Sequence, residues 1–328
     1  MIRNMQRILI IKLSALGDVV MAEGAIHDIR LHHPDAEITV MTTPAYQRYM
    51  ERCPWVDRIF IDRRDNRFRI DRMLVLRRRL RQQHFDRVYD LQQVGRTHFY
   101  ARFFFRNTPW VGGAKGCAYL RKRPADCSAA DQLAVSLVEA GVPVHHTRRC
   151  DISWMAENVD DILGRAGLDR SFVVLIPGGS AKHPGKRWPY YSELSKMLLD
   201  SGFQVVTVPG PDEMDLCRCI HGEMLLNDDG SFLDIFKLAG VLKKASFIIG
   251  NDTGPTHIAV HMQRPGLALF SNHVPPTFTG IQYGRFDWIE QPNLKDLPVS
   301  EVWRKLDPLI QKTCNSAGSP LSDLRNFI

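Results

Sequence analysis

Short apolar runs alternate with helical patterns along this chain of 328 residues, and the alternation occurs twice. A β-α-β-α order of this kind predicts a parallel sheet that is covered by helices on both faces. The pattern begins again after Gly167, so the chain is expected to hold two such sheets. The predicted strands are 7–12, 37–41, 58–61 and 87–90 in the first half, and 171–176, 203–208, 247–250 and 267–270 in the second.

The segments between these strands carry the periodicity of amphipathic helices. The predicted helices are 18–33, 71–84, 190–201, 231–244, 255–262 and 300–312. A further predicted helix follows strand 37–41 and ends before Cys53. Gly164 and Gly167 lie where the halves join. We therefore expect three parts: an N-terminal domain over 1–165, a C-terminal domain over 166–300, and a helix and tail over 301–328 that pack back on the N-terminal domain.

Basic residues are concentrated in the first half. Residues 1–165 hold 27 Lys and Arg against 19 Asp and Glu, whereas the remainder holds 16 against 17. Residues 58–123 alone hold 18 basic and five acidic side chains. This excess predicts an anionic partner for the first half, which leaves nucleic acid, a lipid surface and a phosphorylated substrate open. The helical arginines, Arg77, Arg78, Arg79 and Arg81, are explained equally well as a solvated basic face.

The seven cysteines are scattered, odd in number and without a zinc-binding spacing, which is typical of reduced thiols in a cytosolic protein. The first apolar run, 8–11, is too short for a secretory signal, and no run approaches 18 apolar residues. We therefore expect a cytoplasmic protein without a membrane span.

Three motifs follow predicted strands, where ligands bind in open α/β sheets. The first, Lys12-Leu-Ser-Ala-Leu-Gly-Asp18, has a glycine that lets the backbone approach a ligand closely. Asp18 is explained equally well as a helix N-cap. The motif lacks the G-x-G-x-x-G spacing of a nicotinamide site, which counts against an NAD-type oxidoreductase.

The other two motifs favour anion binding. Pro177-Gly-Gly-Ser180, followed by Lys186-Arg-Trp-Pro189, combines free backbone N–H groups, a hydroxyl and a cation near one strand end. Gly250-Asn-Asp-Thr-Gly-Pro-Thr-His257 joins a strand to a helix that has proline in its first turn. The N–H groups and dipole of that turn attract an anion. Each residue alone is explained by capping or packing, but the combinations favour a nucleotide diphosphate site.

Together these blocks resemble glycosyltransferase family nine, the ADP-heptose:lipopolysaccharide heptosyltransferases. The opening Arg7-Ile-Leu-Ile-Ile-Lys-Leu-Ser-Ala-Leu-Gly-Asp-Val-Val20 is similar to that family's N-terminal signature, and the two later motifs are similar to its donor-site blocks. The resemblance covers roughly residues 7–270. It implies a GT-B fold, in which two Rossmann-like domains face each other across a cleft, with the acceptor in the first half and the donor in the second. It also implies inverting transfer without a metal or another cofactor.

The resemblance assigns roles position by position. Asp18 matches the general base, Leu233 a residue packed against adenine, and Glu213 a glutamate that contacts ribose. The residues matched are Asp18 and Lys186 for catalysis; Gly179, Ser180, Glu213, Leu233, Asp252, Thr253, Gly254 and His257 for the donor; and Ser14, Gly17, Arg63, Arg64 and Arg67 for the acceptor.

The implied partners are a nucleotide sugar and a phosphorylated lipopolysaccharide acceptor, and no nucleic acid partner is expected. The resemblance also implies a monomer that works at the cytoplasmic face of the inner membrane and contacts that membrane peripherally. Two segments, 182–185 and 271–276, depart from the family pattern. Another nucleotide sugar or a protein acceptor therefore stays open as an alternative. So does a non-catalytic binder of nucleic acid or of an anionic membrane through the N-terminal arginines.

Overall fold

The computed structural model describes residues 5–120, 127–168, 171–179, 184–272 and 274–316. The chain forms two compact units, Met1–Asp151 and Ile152–Ile328. The division falls before the predicted boundary at 165 because the intervening segment packs within the second unit. There Glu157 N donates to Phe236 O at 3.1 Å. A Cβ built on Gly240 would lie 2.2 Å from the carbonyl oxygen of Glu157, so the absence of a side chain permits this close approach.

The first unit contains six strands and six α-helices in its described part. The strands are β1 (Arg7–Ile11), β2 (Glu37–Thr42), β3 (Arg58–Ile61), β4 (Arg87–Asp90), β5 (Trp110–Gly112) and β6 (Tyr119–Leu120). The helices are α1 (Leu16–Met21), α2 (Glu23–His32), α3 (Gln47–Arg52), α4 (Ile70–Arg81), α5 (Gly95–Phe103) and α6 (Ala129–Glu139). The strands form one parallel sheet in the order β3-β2-β1-β4-β5-β6.

The second unit repeats this plan. Its strands are β7 (Phe172–Ile176), β8 (Gln204–Thr207), β9 (Glu223–Met224), β10 (Phe247–Asn251), β11 (Pro265–Phe270) and β12 (Arg285–Glu290). Its described helices are α7 (Asp160–Arg165), α8 (Tyr191–Asp200), α9 (Met214–Arg218), α10 (Ile235–Lys244), α11 (Gly254–His261) and α12 (Val299–Ser316). These strands form a parallel sheet in the order β12-β11-β10-β7-β8-β9.

Both sheets have the same strand order when each is counted from its own first strand, namely 3-2-1-4-5-6. This is the doubly wound order of Rossmann folds, and it confirms the prediction of two Rossmann-like parallel-sheet domains. The order reverses direction between the first and fourth strands, and ligands bind beyond the carboxyl ends of the strands at that point. The structure therefore has one such position between β1 and β4, and another between β7 and β10.

The central strands have both faces covered, which explains their continuous apolar sequences. Every residue of β7 and β10 is buried, as are four of the five residues of β1. Edge strand β12 is instead only partly covered, with Phe286 and Ile289 buried and three of its six residues exposed. The sequence prediction missed β12, the short strands β5, β6 and β9, and helices α5, α6, α7 and α9.

Two predicted helices have different limits in the structure. The predicted helix 18–33 is divided into α1 and α2, which meet at Ala22. The predicted helix 231–244 begins only at Ile235, because the Asp234 carboxylate caps it by accepting the N–H groups of Phe236 and Lys237, each at 3.0 Å.

Helix α12 packs on the core of its own unit, whereas the sequence prediction had it pack on the N-terminal domain. Its residues Val302, Leu306 and Ile310 are fully buried in a cluster that includes Trp188 and Leu297. Lys305 Nζ also donates to the Trp288 carbonyl of β12 at 2.6 Å. The tail 317–328 lies outside the described residues. In the described part of the chain, no helix is both long and apolar enough to cross a membrane.

This packing predicts a large stability loss from truncation of the buried face of α12. Leu306→Ala leaves a cavity in a fully buried position, and we expect the free energy of unfolding to fall by about 2–5 kcal/mol. Arg304→Ala, at an exposed position of the same helix, is the matched control and should change it by less than about 0.5 kcal/mol. Urea denaturation measures both, and equal stabilities of the two variants would show that α12 is not docked on this core.

Candidate active site

Asn251, at the carboxyl end of β10, organises the loops around the second unit's switch point. Its side chain is fully buried, and Nδ2 donates to the carbonyls of Pro177 and Gly178 at 2.8 and 3.0 Å. Its Oδ1 accepts from Trp188 N at 3.3 Å and from the Tyr191 hydroxyl at 3.1 Å. One amide therefore joins the end of β10 to the loop after β7 and to the start of α8.

Glu213 and Arg187 hold the predicted glycine loop from two sides. Glu213 lies at the start of α9 and accepts the N–H of Gly179 at 3.1 Å and the N–H of Gly210 at 3.0 Å. Arg187 donates from Nε and Nη2 to the carbonyl of Gly179, at 3.1 and 2.5 Å. The Glu213 carboxylate thus fills the space beside Gly178, where a Cβ would lie 1.7 Å from Oε1.

Lys186 and Asp252 form an ion pair between the two predicted donor motifs. Lys186 Nζ donates to Asp252 Oδ2 at 2.6 Å, and His257 Nε2 lies 3.1 Å from Asp252 Oδ1. Burial favours a raised pKa for Asp252, but the hydrogen bonds and charges of His257 and Lys186 outweigh it and lower that pKa to about 2. The pair is mostly shielded from water, with 17% of the Lys186 side chain and 9% of the Asp252 side chain exposed. The two motifs therefore form one polar network.

Helix α11 begins beside this network and presents its N-terminus. Thr253 is the N-cap residue in extended conformation, and Gly254 is the first helical residue. Among the described residues, the Thr253 side chain makes no capping bond. A Cβ on Gly250 would lie 2.4 Å from Thr256 Oγ1, so only glycine allows the helix to start this close to β10. The first-turn N–H groups have no acceptor within the helix and, with the dipole, favour an anion.

The roles of two other predicted donor residues stay predictions. Ser180 lies outside the described residues. Leu233 is buried just ahead of Asp234, and its contact with a nucleotide base stays a prediction.

The switch point of the first unit has a similar arrangement. Gln92, which follows β4, accepts with Oε1 the N–H groups of Leu13 at 2.8 Å and Ser14 at 3.1 Å. Asp18 is the third residue of α1 and is exposed, with Ala15 at the N-cap position. Asp18 Oδ2 accepts the N–H of Ala15 at 3.2 Å, so the carboxylate lies at the helix start but is not the N-cap itself. Gly17 is the second helical residue of the same turn.

Two ionisable side chains, Lys12 and Tyr46, lie close enough to Asp18 for its charge to influence them. Lys12 is buried, and its Nζ donates to the Leu91 carbonyl at 3.3 Å. Burial lowers the pKa of Lys12, and the carboxylates of Asp18 and Asp90 oppose that shift. The pKa of Tyr46 is raised by burial and by Asp18, while Arg64 acts in the opposite direction. Asp18 and Arg64, two predicted site residues, are therefore both close enough to Tyr46 to influence its ionisation.

Asp62 holds the arginine loop that follows β3. Its carboxylate is almost fully buried and accepts from Nε and Nη2 of Arg96 at 2.9 and 2.8 Å. It also accepts the Tyr100 hydroxyl at 2.7 Å and the N–H of Arg64 at 2.7 Å. This bidentate pair anchors the loop to α5. The side chains of Arg63, Arg64 and Arg67 stay exposed.

Four anchoring residues were missed by the sequence interpretation: Gln92, Asn251, Asp62 and Arg96. Their contacts span long stretches of the chain: Gln92 binds a residue 79 positions away, Asn251 one 74 positions away, and Asp62 and Arg96 lie 34 residues apart. Asn251 comes directly after the predicted strand 247–250, and Gln92 comes two residues after the predicted strand 87–90. A polar side chain at such a strand end was the available signal for these two residues. Among the described residues, no group of three or more His, Cys, Asp or Glu side chains is arranged to hold a metal ion.

Comparison with known proteins gives one consistent match. A family model described as glycosyltransferase family 9 (heptosyltransferase) matches residues 73–287, more than half of the chain. The chain is 23% identical over 303 residues to lipopolysaccharide heptosyltransferase 2 of Escherichia coli K12. The aligned region covers 82% of this chain and 84% of that relative.

Two solved structures share the fold. The first is the Escherichia coli ADP-heptose lipopolysaccharide heptosyltransferase II, with a TM-score of 0.70, 20% identity, and coverage of 94% of this chain and 99% of that one. The second is a putative UDP-N-acetylglucosamine 2-epimerase from Listeria monocytogenes, with a TM-score of 0.59, 14% identity, and coverage of 95% and 91%. The architecture is therefore of the GT-B type, as the sequence predicts.

The lowered pKa of Asp252 predicts a pH-dependent contribution to stability. The pKa of this carboxyl is about 2 in the folded chain and near 4 in the unfolded chain. The ionised carboxylate therefore stabilises the fold at any pH above about 4, and this contribution is lost as the pH falls from about 4 to 2. We expect Asp252→Asn to lower the free energy of unfolding by roughly 2 kcal/mol at pH 7, and by less as the pH falls below 4. Asp200→Asn, at an exposed position of α8, is the control. A deficit of Asp252→Asn that is unchanged down to pH 2.5, in urea titrations, would contradict the ion-pair assignment.

Proposed function

The chain belongs to glycosyltransferase family 9, the heptosyltransferases, and we propose that it transfers a heptose from ADP-heptose to the inner core of a lipopolysaccharide with inversion at the anomeric carbon. The observation that carries the proposal is the Lys186–Asp252 pair beside the N-terminus of α11. It lies at the position of a doubly wound sheet where nucleotides bind.

The second unit offers the groups that a nucleoside diphosphate requires. The N–H groups at the start of α11 and the Lys186 ammonium supply positive potential for two phosphates. A diphosphate would compete with Asp252 for Lys186, because both are anions that the same ammonium binds. As the glycosidic bond breaks, negative charge develops on the leaving ADP, and these groups stabilise it in the transition state. We propose that this stabilisation makes a metal ion or other cofactor unnecessary.

Asp18 is proposed as the general base. It is exposed at the carboxyl end of the first sheet, and Ala15 N occupies only one of its two oxygens in the described structure. The proposed step is one displacement. The acceptor hydroxyl transfers its proton to Asp18 while its oxygen forms the new bond to the anomeric carbon, and the bond to the ADP oxygen breaks. The electron pair leaves with ADP, so one displacement inverts the configuration.

The acceptor is proposed to bind to the first unit through its phosphate groups. Arg63, Arg64 and Arg67 are exposed on a loop that Asp62 and Arg96 hold in place, and arginine binds phosphate oxygens in a bidentate manner. The names of the relatives favour a lipopolysaccharide acceptor and a heptose donor. We propose a monomer that works at the cytoplasmic face of the inner membrane and that has no nucleic acid partner.

Replacement of the proposed base tests this function directly. Asp18→Asn keeps an oxygen that can accept the Ala15 N–H but cannot take a proton, and we expect turnover with ADP-heptose and acceptor to fall about 10²–10⁴-fold. Asp35→Asn, at another exposed position of the same unit, should leave turnover unchanged. Product formation is measured by mass spectrometry, with ADP affinity and melting temperature measured in parallel. Near-normal turnover of Asp18→Asn would remove Asp18 from the mechanism. If the wild-type protein transferred a sugar from another nucleotide sugar but not from ADP-heptose, the proposed donor would be wrong.

A further inference from the structure

Five large apolar side chains are exposed on or beside helices α4 and α5. Their exposed fractions are 79% for Phe68, 71% for Ile70, 58% for Val75, 55% for Leu74 and 49% for Phe103. Helix α4 already buries another face, through Met73, Leu76 and Leu80, in the core of the first unit. Core packing therefore does not account for the exposed apolar groups, and contiguous groups of this kind mark interaction surfaces.

Arginines are interleaved with these apolar groups. Ile70, Leu74, Arg77 and Arg81 follow one another at three- or four-residue spacing, so they lie on one face of α4. Two cavities open on this face. The first, of about 540 Å³, lies between α4 and α5 and is bordered by Arg67, Arg102 and Arg106. The second, of about 490 Å³, is bordered by Arg78 and His84. We call Phe68, Ile70, Leu74 and Phe103, with Arg67, Arg77, Arg78, Arg81, Arg102 and Arg106, the arginine–apolar surface.

Asp86 lines a neighbouring cavity together with Arg81 and Arg106, but the salt bridges of the described residues include none from the six arginines of this surface. The described residues that line the two cavities include all six of these arginines and no Asp or Glu. The carboxylate of Asp71, the first-turn acid of α4, is bound by Arg69 at 3.0 and 3.1 Å. Arg67 and Arg102 instead lie over the rings of Phe68 and Phe103, at 5.4 and 5.5 Å from the ring centres. The surface therefore needs an anionic partner that also covers apolar groups.

We propose that the arginine–apolar surface docks on an anionic lipid bilayer. The apolar side chains enter the boundary between headgroups and acyl chains, and the arginines reach outward to lipid phosphates. A nucleic acid would match the charge and could stack on the rings of Phe68 and Phe103, but it would leave the aliphatic side chains of Ile70 and Leu74 uncovered. A second copy of this chain would match the apolar groups, but the same arginines would then face each other without counterions. The bilayer satisfies both the charge and the apolar area.

The position of the surface links it to the predicted acceptor loop. Phe68 and Ile70 directly follow Arg63, Arg64 and Arg67 in the chain, and Asp62 ties this loop to α5 through Arg96. Docking would hold the loop at headgroup level, where a membrane-embedded phosphorylated acceptor presents its sugars. This last consequence rests on the proposed function, whereas binding to lipid does not.

Flotation with lipid vesicles tests the docking without donor or acceptor. The wild-type chain should float with vesicles that contain 30% phosphatidylglycerol and stay behind with pure phosphatidylcholine. Its binding should weaken as salt screens the charges. The triple variant Arg78→Gln, Arg81→Gln and Arg106→Gln should lose about 100-fold in partitioning, which corresponds to about fivefold for each arginine. The control removes the same charge at exposed arginines elsewhere, with Arg149→Gln, Arg285→Gln and Arg304→Gln, and should bind like the wild type.

The apolar half of the surface has its own variant. Phe68→Ser, Leu74→Ser and Phe103→Ser together should abolish the binding that persists at 0.5 M salt, while Leu31→Ser, Val138→Ser and Leu199→Ser, at other exposed positions, should not. Melting temperatures are measured for every variant, and each should stay close to that of the wild-type chain.

Four outcomes would overturn the proposal. The first is a wild-type chain that does not float with the anionic vesicles, and the second is a control triple that loses as much binding as the arginine triple. The third is a wild-type dimer that does not bind lipid and that the apolar variant converts to a monomer, since the surface would then join two copies of this chain. The fourth is equal retention of the wild-type chain by immobilised RNA and by vesicles, which would make the interaction purely electrostatic and contradict the apolar role. Because the vesicles hold no acceptor, none of these outcomes depends on transferase activity.

Discussion

The reversal of strand order between the first and fourth strands of each sheet is the constraint on which the candidate site depends. On either side of that reversal, the connecting helices lie on opposite faces of the sheet, so the loops after the two strands separate and leave a crevice. The motifs 12–18 and 250–257 both follow strands at such a position, β1 in the first unit and β10 in the second. The same topology, formed twice, therefore supplies one binding edge in each unit.

A buried or half-buried amide stabilises each crevice. Gln92 follows the fourth strand of the first sheet and binds the N–H groups of the loop after the first strand. Asn251 ends the fourth strand of the second sheet and binds the carbonyls of the corresponding loop. The two amides thus do the same task with opposite polarity. In the second crevice Glu213 already binds the N–H of Gly179, so the N–H groups that an anionic diphosphate needs are those at the start of α11.

The parts of the fold that could be predicted from the sequence are those with strong local signals. Continuous apolar runs identified the buried strands, because a strand covered on both faces needs no polar side chain. Helix α6 also carried a local signal, since Ser128 caps it by accepting from Asp131 N, whereas β12 has no regular alternation of buried and exposed residues. Two-residue strands such as β9 carry no such signal. The pairing of Lys186 with Asp252 could not be predicted, because the partners lie 66 residues apart and meet only through the sheet topology.

The central claim is that the edge between β7 and β10 binds an adenosine diphosphate, and calorimetric titration with ADP, UDP, GDP and NAD tests it most directly. The account predicts that ADP binds and that the other three bind at least tenfold more weakly. It also predicts that Lys186→Ala weakens ADP binding by about tenfold, because an ion pair with phosphate is lost. Lys196→Ala, at an exposed position of α8, should change nothing. A preference for UDP, or ADP binding that is unaffected by Lys186→Ala, would contradict the account.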